Sequence, residues 1–342
     1  MHRRSLALRA LFSSAFLFAA VAVGAPVEAK PVKGPAYAAY LTGNAADVAP
    51  ALHGPSLLLG GGGTDVDAGF QRTIDLVRGC TSCSTTIDIV ILRSTGADGY
   101  NAYLQAMNGV DSVETLVLDR PEEAADPAVV AKVQKAELVF FAGGDQCDYV
   151  KNFKGTPVEA AVQDVYARGG AVGGTSAGLA IQGDYAYDAC SSSSGVSSAT
   201  ALANPYSKEV TFTNDFFDWA PMTGLITDSH FVTRDRMGRL MVFLARQIAD
   251  GATGAAWGLG VNEGTSVVVD DAGTATVVGD GPVYLVLADH PATVIQAKKP
   301  LTYAGFKIWK FGSGQSFSLT SRPSTGFTTI DVNAGVLGGS PY

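Results

Sequence analysis

Five short runs rich in Val, Ile and Leu constrain this chain more than any other feature. They lie in "PSLLLGGGG" (55–63), "TTIDIVILRS" (85–94), "VETLVLDR" (113–120), "ELVFFAGGDQ" (137–146) and "GGAVGGTSAG" (169–178). Each ends in glycine or polar residues and shows no alternation of polar with apolar positions, the pattern of strands buried on both faces. The stretches between them, such as "GFQRTIDLVRG", "DPAVVAKVQKAE" and "PVEAAVQDVYARG", repeat apolar residues at helical spacing. Strand and helix alternating at this rhythm predict an α/β fold, doubly wound around a mostly parallel sheet with helices on both faces.

The rhythm changes after about residue 255. "TSVVVDDAGTATVVG", "GPVYLVLADH" and "FKIWKFGSGQSFSLT" read as strands joined by Gly-containing turns, hence antiparallel hairpins. At the other end, Arg3, Arg4 and Arg9 precede an apolar run and then Val27-Glu28-Ala29, the layout of a cleavable secretory signal peptide over 1–29. The expected organisation is therefore a signal peptide (1–29), a linker or edge segment (30–54), an α/β domain (55–270) and a C-terminal β-rich extension (271–342). The mature protein is expected to be secreted or periplasmic, with no membrane anchor.

A formal net charge of −8 leaves no basic surface for nucleic acid. The four cysteines, Cys80, Cys83, Cys147 and Cys190, all lie beyond the cleavage site. Export favours disulfides, and Cys80–Cys83 with Cys147–Cys190 is the simplest of the three connectivities. One CxxC without a second gives no metal site, and no His, Cys and carboxylate cluster has ligand spacing, so neither a metal nor another cofactor is expected.

In doubly wound folds, ligands sit at the carboxyl ends of the strands. Three glycine-rich turns fall there: "GGGGTD" (60–65), "AGGDQ" (142–146) and "GGTSAG" (173–178). The first lacks the Lys-Ser/Thr of a phosphate loop. The third, Gly174-Thr175-Ser176-Ala177-Gly178, fits G-x-S-x-G between a strand and the helical-looking "LAIQGDYAY", where small neighbours allow the sharp turn that projects a nucleophilic hydroxyl.

A serine needs a base. Of His53, His230 and His290, only His230 combines a preceding apolar strand with a following amphipathic helix, in "GLITDSHFVTRDRMGRLMVFLARQ". Arg234, Arg236 and Arg239 come next. Cations at the start of a helix oppose its dipole, so they point to an anionic ligand held by forked hydrogen bonds.

Taken together, "FFAGGDQ", "GGTSAGLAIQGD" and "ITDSHFVTRDRMGRL" resemble the cyanophycinases, serine peptidases related to dipeptidase E with a core similar to class I glutamine amidotransferases. The resemblance spans roughly residues 55–270 and implies Ser176 as nucleophile and His230 as general base. It places Gln146, Asp228, Arg234, Arg236 and Arg239 around a peptide-like polymer, cyanophycin or another β-aspartyl peptide, from which β-Asp-Arg dipeptides would be released. It also implies a homodimer.

The third triad member is open between Glu209 and Glu263 of "GVNEGT", with Glu263 favoured. An oxyanion would require backbone N–H donors, expected from Ala177 and from Gly143 or Gly144. Two rivals stand beside this reading. An α/β-hydrolase esterase would take His290 as base with Asp270 or Asp271, and a catalytically silent binding module would keep the fold and the arginines.

Overall fold

The structure is a computed structural model that describes residues 37–192 and 194–342, so the signal peptide expected over 1–29 lies outside the described residues. In chain order the strands are β1 (Ala38–Gly43), β2 (Ser56–Gly60), β3 (Ile87–Arg93), β4 (Val110–Val117), β5 (Leu138–Phe141), β6 (Ala171–Thr175), β7 (Tyr185–Tyr187), β8 (Phe212–Asn214) and β9 (Leu225–Asp228). They continue as β10 (Ala256–Val261), β11 (Thr265–Val269), β12 (Thr274–Gly279), β13 (Val283–Ala288), β14 (Tyr303–Phe311), β15 (Ser316–Ser318), β16 (Thr328–Asn333) and β17 (Val336–Leu337).

Two sheets result. The first runs β1-β4-β3-β5-β6-β2-β11-β12-β15, and the five strands expected from their apolar runs are its parallel centre, β4-β3-β5-β6-β2. Their lack of alternation has a direct cause. Leu57, Leu59, Val90, Leu92, Val139 and Phe141 bury into one core, while Leu58, Ile89, Ile91 and Phe140 bury into another on the opposite face. Helices Pro127–Lys135 and Pro157–Ala167 cover the first face through Val129, Val133, Val158 and Val162; helix Asp67–Arg78 covers the second through Phe70, Ile74 and Val77.

The second sheet runs β17-β16-β14-β13-β10-β9-β7-β8, with helix Met237–Ala249 packed on it through Leu240, Met241, Val242 and Leu244. The C-terminal strands pair antiparallel, as expected. They extend both sheets: β12 and β15 continue the first, whereas β13, β14, β16 and β17 continue the second. The boundary expected at 270 falls in the turn of the β11–β12 hairpin. Residues 30–54 include the edge strand β1, antiparallel to β4.

One local expectation is corrected. Only the first two residues of "LAIQGDYAY" (179–187) are helical, as the end of the four-residue helix Ala177–Ala180, and the stretch closes in strand β7. Pairing of β7 with β8 and β9 overrides the helical pattern, as tertiary contacts commonly override weak local propensity. Among the described residues no helix is long and apolar enough to cross a membrane. Disulfides join Cys80 to Cys83 and Cys147 to Cys190.

Candidate active site

Five strands of the two sheets deliver the site residues at their carboxyl ends. Ser176 follows β6, Gly144 follows β5, His230 follows β9, Glu263 follows β10, and the glycine run Gly61–Gly63 follows β2. Ser176 has φ 56° and ψ −111°, a strained conformation for a residue with a side chain, and its peptide N–H is held by the Gly60 carbonyl at 3.1 Å. Gly178 must lack a side chain because a Cβ there would overlap the Phe141 carbonyl.

The Ser176 hydroxyl lies 2.7 Å from Nε2 of His230, and Nδ1 of His230 lies 2.5 Å from Oε1 of Glu263. Hydroxyl, imidazole and carboxylate thus form one continuous hydrogen-bonded line. The carboxylate favours the proton on Nδ1, leaving Nε2 to accept from the serine. Burial pushes the His230 ring below its ordinary pKa; the Glu263 hydrogen bond opposes this, and the charges of Arg234 and Arg236 reinforce it. The same hydrogen bond from His230 holds the Glu263 carboxyl below the usual carboxylate range.

The four-glycine run does something its sequence did not disclose. The carbonyls of Gly60, Gly61 and Gly62 accept from the backbone N–H groups of Ser176 (3.1 Å), His230 (2.7 Å) and Gly264 (3.1 Å). One short loop therefore pins all three segments of the line. Gly62 has φ +90°, and a Cβ on it would overlap the His230 ring, so only glycine fits. Asn262 supports the other side: its Oδ1 accepts from the backbone N–H groups of Val232 and Thr233 at 3.0 and 3.1 Å.

Beside Ser176 opens a polar cavity of about 330 Å³. Gly144, Gln146, Ala177, Arg234, Arg236 and Arg239 line it, with serines from the segment after Cys190. The Ala177 and Gly144 N–H groups hydrogen bond to no described residue. The Cys147–Cys190 disulfide ties the helix that starts at Gln146 to the strand-exit segment forming the opposite wall.

The arginines are not equivalent. Arg234 is half exposed, 3.9 Å from Glu263. Arg236 reaches the Ser229 carbonyl at 3.0 Å and hydroxyl at 3.2 Å, and burial pushes its guanidinium down to about 10, so it stays charged at neutral pH. Arg239 is buried: its Nε and Nη2 grip Asp228 at 2.8 and 2.6 Å, its Nη1 donates to the Val196 carbonyl, and its plane lies over Tyr187.

This narrows one expectation and corrects another. Arg239 lines the cavity, but each of its three nitrogens already donates within the protein, so its fork is engaged by Asp228 rather than held open for a substrate carboxylate. Asp228, expected in the pocket, lies buried behind the arginines and anchors Arg239 and, at 3.4 Å, Arg236. The alternatives also resolve spatially. Glu209 takes the Ser192 hydroxyl and makes no bond to His230. His290 stacks on Tyr303 with its two nitrogens 3.0 Å from the carbonyls of Pro291 and Ala304, and it is not part of the Ser176 line.

Comparison with curated proteins finds cyanophycinases from Nostoc sp. and from Trichormus variabilis, each 30% identical over 168 residues. The likeness is to the cyanophycinase family. Each match covers 47% of this chain and 49% of the relative, so the chain spans about half the length of the curated cyanophycinases it matches. No family model matches. Among solved structures, a peptidase from an acI-B1 Actinobacterium superposes with a TM-score of 0.53 at 17% identity, over 79% of this chain and 98% of that one, a likeness of fold.

Proposed function

We propose that this chain is an exported serine-type peptidase that hydrolyses cyanophycin, a poly-aspartate backbone bearing arginine on its side-chain carboxyls, to β-Asp-Arg dipeptides. The observation that carries the proposal is the Ser176–His230–Glu263 line, with contacts of 2.7 and 2.5 Å. In this reading Nε2 of His230 takes the Ser176 proton as the oxygen attacks the scissile carbonyl. Glu263 stabilises the imidazolium, and an acyl-enzyme forms. The Ala177 and Gly144 N–H groups receive the oxyanion, and His230 returns its proton to the leaving amine. Water then repeats the sequence to release the acid.

The cavity supports an anionic substrate. Arg234 and Arg236 face it, whereas its one lining carboxylate, Asp145, accepts from the Cys147 N–H as a helix cap. The curated relatives' name gives the polymer its priority among acidic peptides. Two measurements test the reading: labelling of Ser176 by a fluorophosphonate probe, and mass spectrometry of products after incubation with insoluble cyanophycin. Labelling with β-Asp-Arg release is expected. Labelling without release would keep the serine chemistry and discard the polymer. No labelling would leave a silent binding module.

A further inference from the structure

The residue farthest along the chain reaches back to the turn that carries the arginines. The Tyr342 hydroxyl accepts from the Met237 N–H at 2.9 Å and donates to Oδ1 of Asp235 at 3.0 Å. Its ring meets Phe231 and Tyr284 edge-on, with centroids 6.1 and 5.8 Å away. Phe231 directly follows His230, and Met237 opens helix Met237–Ala249, whose own cap residue, Arg236, supplies no side-chain hydrogen bond. Tyr342 therefore satisfies an N–H that this helix leaves unpaired.

The turn it touches has an uncommon backbone. His230 has φ 47° and Asp235 φ 48°, positive values that few residues with a side chain adopt, although His and Asp do so more readily than most. Arg234 lies between these two residues and Arg236 next to the second. The turn's own bonds, Arg234 N–H to the His230 carbonyl and Arg236 N–H to the Phe231 carbonyl, are local and cannot set its orientation to the cavity. Asn262 holds the Val232–Thr233 side; at the Asp235–Met237 side the holds are Tyr342, the Ser198 hydroxyl on the Asp235 carbonyl, and the Arg236 side chain on Ser229 and Asp228.

We propose that Tyr342 is a positioning residue: its hydroxyl latches the His230–Arg236 turn and so presents Arg234 and Arg236 to the carboxylates of a bound peptide. This gives the C-terminal segment a role in recognition, and it rests on the reading of the arginine-lined cavity as the substrate site. Tyr342→Phe deletes the latch and keeps the ring in its apolar seat.

The test is calorimetric binding of the β-Asp-Arg dipeptide to full-length Ser176→Ala protein, with and without Tyr342→Phe, Asp235→Ala and both. Each single change should weaken binding roughly 3- to 10-fold, the scale of one hydrogen bond's net contribution. The double change should cost no more than the larger single one, because Tyr342→Phe already removes the bond to Asp235 together with that to the Met237 N–H. In the protein with Ser176 intact, Tyr342→Phe should raise KM and retain kcat, a split that loss of folded protein does not produce. Unchanged affinity, or losses that add, overturns the latch. Failure of the Ser176→Ala protein to bind the dipeptide overturns the latch together with the anionic cavity, while absence of fluorophosphonate labelling with binding and coupling intact overturns the peptidase reading alone.

Discussion

Nδ1 of His230 lies 2.5 Å from Oε1 of Glu263, and the two residues come from different strand ends, β9 and β10, that run parallel and adjacent in the second sheet. That pairing registers Gly260 with Asp228, so the residues two beyond Asp228 and three beyond Gly260 emerge side by side. The carboxylate orients the imidazole and selects its tautomer.

Glu263→Gln should accordingly lower kcat/KM by about 10²- to 10⁴-fold, because an amide can accept the Nδ1 proton less strongly and can also present the wrong partner to the ring. His290→Ala should leave turnover as it was. Steady-state kinetics on one peptide substrate checks both, and a reversal of the two effects would transfer the base to His290.

The arginines should separate by assay. Arg239→Met leaves Asp228 buried against a weaker, 3.4 Å contact to Arg236, and should destabilise the fold by about 3–5 kcal/mol, read by thermal or denaturant unfolding. Arg236→Lys keeps the charge and loses the fork, so about 1–3 kcal/mol should vanish from kcat/KM on a carboxylate-bearing peptide while a small neutral ester is acylated nearly as before. Equal loss on both substrates would make Arg236 a structural residue.

The pH dependence follows from the His230 shift. Catalysis needs the neutral ring, and burial, with Arg234 and Arg236, holds its pKa below the ordinary 6.5 despite Glu263. The acid limb of the kcat/KM profile should therefore have its midpoint below 6.5. Removing the nearby charge in Arg234→Gln should move that midpoint upward, since one positive charge that disfavours the imidazolium is gone. A midpoint above 6.5 in the unaltered protein would contradict the site geometry.

Gly62→Ala should abolish turnover out of proportion to its effect on folding. Its Cβ would press into the His230 ring, and its φ of +90° disfavours any side chain. Unfolding curves beside kinetics provide the comparison, and retention of kcat would show that the loop yields more readily than its packing indicates.

Local chemistry carried much of this protein in the order of its residues. Runs such as "TTIDIVILRS" announced strands buried on both faces, because a central parallel strand has no solvent side to mark with polar residues. Gly174-Thr175-Ser176-Ala177-Gly178 announced a sharp turn, because only small neighbours permit it. Contacts between distant segments were beyond that reach. Whether Arg239 faced a ligand or Asp228 depended on helix Met237–Ala249 turning it back over the end of β9, and whether Glu209 or Glu263 met His230 depended on strand pairing. The glycine run of 60–63 read as a glycine-rich turn until the fold brought its carbonyls to three N–H groups more than a hundred residues further along the chain. Apolar periodicity reports how each segment buries itself, whereas a hydrogen bond between remote side chains exists only after loop closure has set the direction of both, which no local pattern encodes.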